Sequence, residues 1–300
     1  MCIGCGLVEK MNENKQKAIA AVNDLSGYGR CSLTVSLPIL SSMGIQCCPV
    51  PTSILSNHTG FPTWFFDDYT EKMEPYLGKW KELNLAFDGI LTGFFGSVRQ
   101  IRIAADMIRD FKGQDTKVIV DPIMGDHGKT YATCTPQLCR EMERLVRLAK
   151  AVTPNVTEGC ILTGREYKAE GWKEEELERM VIEIQKMGPS HVVITGVEKG
   201  DRLINVVAGP DGRVSFQQNK KAGQGRPGTG DIFSSIVAGS LILGREFSWG
   251  VELAADFVSR CIRKSEELDI PVRNGVCFEL LLGDLSGRQE IRRCLQGIGK

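Results

Sequence analysis

Gly223, Gly225, Gly228 and Gly230 place four glycines within eight residues, immediately ahead of Asp231 and the small apolar run Ile232 to Gly239. A glycine-rich turn feeding a helical pattern presents bare backbone N–H groups at a helix N-terminus, where unpaired donors and the helix dipole favour an anion. The segment therefore reads as a site for phosphate or for developing phosphoryl charge. Asp231 does not fit a simple anion nest, because a neighbouring carboxylate repels phosphate. Taking a proton from an attacking hydroxyl is a role that fits; an N-cap on a buried helix is the plainer alternative. A carboxylate in the first turn of a helix is also expected to have a lowered pKa and to be a weak base.

Further polar groups recur where apolar runs stop. Asp24 and Ser26 follow the run Lys17 to Val22, and Ser56-Asn57-His58-Thr59-Gly60 follows Ile45 to Pro51. Asp121 and Asp126 follow Lys117 to Val120, and two carboxylates just past a strand end suit a metal or a metal-bound phosphate. Asn155 and Glu158 follow Ala149 to Val152 at a spacing of three, which puts both on one helical face. A capping pair and a metal-supporting pair are both compatible with that spacing. Thr195 ends the run His191 to Thr195. Gly128-Lys129-Thr130 imitates the end of a GxxxxGK[ST] phosphate loop, but Ile123 stands where the first glycine is needed, and the motif is rejected.

Short apolar strands alternating with helical patterns at Cys31 to Met43, Val98 to Phe111, Pro136 to Leu148 and Glu174 to Met187 predict an open α/β sheet. Ile204 to Ala208 and Arg213 to Phe216, split by Gly209-Pro210-Asp211-Gly212, predict a hairpin. Helices are expected over Asp231 to Leu243 and Ser248 to Lys264. Ligands of such a sheet bind outside the carboxyl ends of its strands, where all the polar groups above would gather. Phe61, Trp64, Phe65 and Phe66 would suit a flat ring there, or a hydrophobic cluster under a flap. An anion nest, acidic groups and a lone base are the components of phosphoryl transfer.

The chain has 300 residues with 37 basic and 37 acidic side chains, so nothing in its charge suggests a nucleic-acid or anionic-membrane face. No apolar run is long enough to cross a bilayer, and a cytoplasmic protein is expected. Eleven scattered cysteines fit free thiols in a reducing compartment. Cys2 and Cys5 have metal-ligand spacing without a second pair, weak support for zinc, and Cys47-Cys48 read as core. Residues 1–16 form a polar leader expected to be disordered, and 17–300 a single domain. Three dispersed histidines, with His191 beginning a strand, give no nucleophile-base motif.

From Lys17 onward the chain resembles the ribokinase superfamily and, within it, the pyridoxal (vitamin B6) kinases. The resemblance is carried by Ser56-Asn57-His58-Thr59-Gly60, Leu91-Thr92-Gly93-Phe94, Asp121-Pro122-Ile123-Met124-Gly125-Asp126, Thr153-Pro154-Asn155 with Glu158, Val192-Val193-Ile194-Thr195, and Gly228-Thr229-Gly230-Asp231. It implies a three-layer α/β/α fold with a central, mostly parallel sheet, and an ATP- and Mg2+-dependent kinase acting on the 5'-hydroxymethyl group of pyridoxal, pyridoxamine or pyridoxine in pyridoxal phosphate salvage. A monovalent cation such as K+ is an optional addition, and a homodimer is implied. Asp231 would be the base and the amides of Gly228, Thr229 and Gly230 the anion hole. Asp121 and Asp126 would lie near the ATP phosphates and magnesium, with Asn155 and Glu158 supporting the metal. Thr195 and Thr229 would contact the nucleotide, and Tyr131 would cover its phosphates. Asp24, Ser26 and Thr59 would hold the pyridine ring, with Phe94 flanking it.

Three departures bear on the substrate. Some family members have Tyr where Phe94 stands. The loop Asn23 to Gly29 is closer to that of the hydroxymethylpyrimidine kinases of thiamine synthesis, relatives some of which phosphorylate both rings. Dual-function relatives place a Cys in the glycine loop, and Gly223 to Asp231 holds none. Hydroxymethylpyrimidine kinase is therefore the first alternative, and a non-catalytic B6-binding protein the second.

Overall fold

A computed structural model describes residues 16–286. The leader and the Cys2/Cys5 pair fall almost wholly outside them. The strands in chain order are β1 (Ala18–Tyr28), β2 (Gln46–Asn57), β3 (Phe66–Asp68), β4 (Gly89–Thr92), β5 (Lys117–Val120), β6 (Gly125–Asp126), β7 (Lys129–Thr130), β8 (Ala151–Val152), β9 (His191–Lys199), β10 (Arg202–Ala208) and β11 (Val214–Lys220). The helices are α1 (Leu33–Ser42), α2 (Thr70–Glu82), α3 (Val98–Phe111), α4 (Pro136–Leu148), α5 (Val156–Thr163), α6 (Glu174–Met187), α7 (Thr229–Ile242) and α8 (Phe247–Glu267), followed by 3-10 turns at Val272–Asn274 and Glu279–Leu285.

Nine of these strands form one sheet in the order β11-β10-β9-β8-β5-β4-β1-β2-β3. The six central strands, β9 to β2 in that order, are all parallel, and antiparallel partners close both edges. Side-chain alternation splits the core. Ala20, Val22, Ile90, Val118, Val120, Val192 and Ile194 face a layer that includes α3, α4 and α6. Ile19, Leu91, Ile119, Ala151 and Val193 face α1, α7 and α8. Burial on both faces explains why the central strands read as short continuous apolar runs. It is also why α7 is buried from Ile232 to Ile242 and carries little more than small or aliphatic residues.

The helices start where the sequence supplies caps. Ser97 accepts from the Gln100 amide at 3.3 Å ahead of α3, and Thr135 from the Leu138 amide at 3.2 Å ahead of α4, with Pro136 at its first position. The expected spans of α3, α4 and α6 and of strand β5 match the structure.

Three expectations need correction. The helix at Cys31 starts at Leu33, because Ser32 has φ 56° and ψ −136°, which no helix admits. Asp24 and Ser26 are not in a loop, since β1 continues to Tyr28. Likewise β2 runs through Ser56 and Asn57. Pro49 and Pro51 lie within β2, whose far edge is unpaired there and meets β3 only from Ser53 to Leu55, so neither proline interrupts a ladder. The β1/β2 pairing slips by one residue between Asn23/Pro51 and Leu25/Ile54, and that slip redirects Asp24.

Candidate active site

Strands β4, β5 and β8 stop together at Thr92, Val120 and Val152, and the polar groups collect on the ledge that their carboxyl ends form with β1 and β9. The Gly93 amide donates to Val22 at 2.8 Å, that of Asp121 to Thr92 at 3.0 Å, and that of Thr195 to Pro154 at 2.9 Å. Strands β4 and β5 thus hand their first loop residues to the ledge in register with their neighbours, whereas Thr195 lies within β9, which runs on to Lys199 instead of ending there as expected.

Asp231 is the third residue of α7, not its cap. The N-cap is Gly228 at φ 84°, and a side chain there would collide with the Arg30 carbonyl. Only glycine satisfies both conditions. The first intrahelical bond runs from Ile232 to Gly228, leaving the amides of Thr229, Gly230 and Asp231 without an intrahelical acceptor. Arg226, the one cation of the glycine loop, does not face an anion. It is buried and donates through Nη1 to the carbonyls of Ile270 at 2.8 Å and Gly275 at 3.3 Å, which ties the loop to the C-terminal segment. Thr229 Oγ1 donates to the Arg226 carbonyl at 3.0 Å.

The expected weak base is corrected by the surroundings of Asp231. Its pKa is pushed up to about 6, chiefly by desolvation and further by the Asp24 charge, against the pull of the Ser32 amide, the Asn23 side chain and its own amide. Burial therefore outweighs the helix terminus, and the carboxylate is a competent base near neutral pH.

Sequence reasoning passed over Asn23 and Ser32. Asn23 is 6% exposed; Oδ1 accepts from the amides of Asp24 at 3.0 Å and Phe94 at 2.8 Å, and Nδ2 donates to Asp231 Oδ1 at 3.1 Å. Ser32, in its left-handed backbone, donates through Oγ to Asp24 Oδ1 at 2.5 Å while its amide favours the Asp231 charge. Ser26 Oγ donates to the other Asp24 oxygen at 2.8 Å. Asp24 is raised by burial and lowered by these two hydroxyls. Ser26 is fully buried, so it serves Asp24 rather than facing the cleft. A lone Asn directly after the apolar run Ala18 to Val22 was the available signal for Asn23.

Asn155 and Glu158 cap α5 reciprocally, and Glu158 also accepts from the Met124 amide at 3.1 Å through Oε1. Asn155 Nδ2 donates to the Gly125 carbonyl at 2.8 Å, and Asn155 forms a parallel bridge with Thr195. Asp121 and Glu158 are 7% and 4% exposed; burial raises both pKa values, the Asp231 charge raises Asp121 further, and the Asp121 charge raises Glu158 further. Asp126 sits in the hairpin of β6 and β7, whose turn residues His127 and Gly128 both have positive φ. The Gly128 amide donates to Thr157 Oγ1 at 2.9 Å, which lays the hairpin over the start of α5. The rejected phosphate loop is thus a β-hairpin. Tyr131 follows it, 44% exposed, its amide donating to Met124. Burial of the Tyr131 hydroxyl raises its pKa, and the charges of Glu158, Asp126, Asp121 and Asp231 raise it further.

Phe94 is half-buried beside Asn23, and Thr59 stands in the exposed turn between β2 and β3. That turn is braced by His58, whose Nε2 donates to the Arg273 carbonyl at 2.8 Å while Nδ1 accepts from the Gly60 amide at 3.1 Å. Phe61 packs between His58 and Tyr28, with the Arg273 guanidinium over its ring. Trp64, Phe65 and Phe66 are exposed and form no packed ring site. His191 is structural, packed edge-on against Phe247, and Cys47 and Cys48 are partly buried against opposite cores. Among the described residues no helix is long and apolar enough to cross a membrane.

Residues 82–274 match the family described as Phosphomethylpyrimidine kinase. The pyridoxal kinase of Sus scrofa is 30% identical over 233 residues, 70% of each chain. A Bacteroides thetaiotaomicron protein provisionally named phosphomethylpyrimidine kinase, in a crystal form with pyridoxal, is 39% identical with a TM-score of 0.87 over 90% of this chain and 96% of that one. The pyridoxal kinase of Lactobacillus plantarum is 26% identical with a TM-score of 0.84 over 90% and 97%. Matched over most of its length by profile, sequence and fold, the chain belongs to the phosphomethylpyrimidine and pyridoxal kinase family of the ribokinase superfamily.

Proposed function

We propose that the protein is a pyridoxal kinase, transferring the γ-phosphoryl group of ATP to the 5'-hydroxymethyl oxygen of pyridoxal, pyridoxamine or pyridoxine in pyridoxal phosphate salvage. The observation that carries the reading is Asp231, raised to about 6 and set beside the unpaired amides that open α7. The substrate hydroxyl donates its proton to Asp231 as its oxygen meets phosphorus. The amides at the glycine loop, assigned to Gly228, Thr229 and Gly230, balance charge on the moving phosphoryl oxygens. A loose transition state needs little from the base beyond aim, because the hydroxyl proton leaves late.

Asp121, Asp126 and Glu158 offer the hard oxygen donors that suit Mg2+. Among the described residues no group of three His, Cys, Asp or Glu side chains could hold a metal by itself. An ion of this kind is carried by one or two carboxylates, water and substrate phosphates. Asp121 and Glu158 are both buried and the charge of Asp121 raises Glu158, a repulsion that a cation would relieve. When bound, Mg2+ supplies charge neutralisation on the phosphates. Asn155 holds Glu158 and the hairpin in place, Thr195 and Thr229 contact the nucleotide, and Tyr131 covers its phosphates. Asp24 and Thr59 take the ring, Ser26 supports Asp24, and Phe94 flanks the ring. ATP is the donor, K+ an optional activator and a homodimer the assembly; the protein is placed in the cytoplasm.

Phosphorylation of hydroxymethylpyrimidine is the second reading, favoured by the family match over residues 82–274 and by the Asp24, Ser26 and Ser32 cluster. The pyridoxal-bound relative supports the B6 ring first. The test is product analysis by mass after incubation with ATP, Mg2+ and each ring separately. A kcat/KM higher for a B6 vitamer supports the proposal; a higher value for the pyrimidine overturns it, and binding of B6 without turnover would restore a carrier role.

A further inference from the structure

We propose that Asn23 is the positioning residue that aims Asp231, coupling the base to the ring side of the cleft. The inference rests on the reading of Asp231 as base. Its geometric warrant is the amide orientation of Asn23. Backbone N–H groups can only donate, and two of them, from Asp24 and Phe94, converge on one atom of the Asn23 side chain. That atom must be the oxygen, so the nitrogen necessarily points at Asp231, 3.1 Å away.

Three hydrogen bonds hold the side chain. A Cβ at Gly93 would lie 2.5 Å from Asn23 Nδ2, so the glycine leaves the room that the amide occupies. Donation to Oδ1 of Asp231 also favours placing the accepted proton on Oδ2, since a carbonyl-type oxygen is the better acceptor. The same residue holds the Phe94 amide, and Phe94 flanks the ring in the proposed site. Ring placement and base orientation thus share one side chain across 208 residues of sequence.

The discriminating variant is Asn23→Asp. It keeps an acceptor for the amides of Asp24 and Phe94 but replaces the donor with an oxygen that repels Asp231. A residue that merely holds the loop would tolerate it; a residue that aims the base would not. Expected is a fall in kcat of about ten- to a hundredfold, the worth of one hydrogen bond to a charged group, with the ring KM within about threefold of wild type. Asn23→Ala should lower kcat similarly, raise the ring KM as well, and cost nothing further in an Asp231→Asn background. Wild-type kcat in Asn23→Asp, or an undiminished loss from Asn23→Ala in the Asp231→Asn background, would overturn the proposal. Should Asn23→Asp not fold, the Ala cycle decides alone. Asp231→Asn measured by itself separates the two claims: normal turnover there removes the base, whatever Asn23 does.

Discussion

Glu158 Oε2 accepts from the Asn155 amide at 2.8 Å while Asn155 Oδ1 accepts from the Glu158 amide at 2.9 Å. With Met124 on its other oxygen, Glu158 is held as an acceptor at every turn, which fixes a buried carboxylate that desolvation and Asp121 push toward protonation. Capping and metal support are therefore compatible roles of one side chain, not rivals.

Glu158→Gln removes that charge and, because the amide nitrogen cannot accept, leaves the amide of either Asn155 or Met124 without its partner. The Mg2+ concentration for half-maximal rate should rise several-fold while the ring KM stays unchanged. An unchanged Mg2+ dependence would take Glu158 out of the metal site and leave it as a cap.

The raised pKa of Asp231 predicts an acid limb in kcat near pH 6, since the base must be ionised. Its effect on stability has the opposite sense. The folded value, about 6, lies above the ordinary 3.8, so the stability tied to the protonated form is complete below the ordinary value and lost as pH rises through about 6. Without ligands, Asp231→Asn should therefore melt higher than wild type at pH 8, by on the order of 2 kcal/mol, and the two should converge at pH 4. Thermal melts across that range check it; a less stable variant at pH 8 would contradict the burial argument.

Gly228→Ala forces an alanine to φ 84° against the Arg30 carbonyl. A destabilisation of at least about 2 kcal/mol is expected, together with a loss of kcat as the first turn of α7 shifts. Denaturant unfolding and steady-state kinetics measure both. Wild-type values in both would mean that the loop tolerates another path.

His58 links the exposed β2–β3 turn to the C-terminal segment through Arg273. His58→Ala removes one neutral hydrogen bond on each side of the ring, and the ring KM should rise about three- to tenfold with kcat unchanged. A fall in kcat at constant KM would instead place His58 in the chemistry.

The order of elements and most of the ledge were legible because they depend on local pattern: short continuous apolar runs, amphipathic helical stretches, and glycines before a helix. Helix α3 could be read to the residue since Ser97 and its amphipathic face agree. What escaped depends on partners distant in sequence. The continuation of β1 past Val22 is set by its pairing with β2, which runs to Tyr28 and Asn57. The pKa of Asp231 was misjudged in direction because the helix dipole is visible locally and burial by Asp24, Asn23 and Ser32 is not. The role of Asn23 depends on Phe94 and Asp231, which the fold brings to its side chain from distant parts of the sequence.

The most direct test of the central claim is the rate of phosphoryl transfer to pyridoxal by Asp231→Asn at saturating ATP and Mg2+, compared with wild type, alongside the affinity of both for ATP and pyridoxal. A loss of about a hundred- to ten-thousandfold with both affinities within a few-fold is the expected result. Turnover near that of wild type would contradict the assignment of Asp231 as the base.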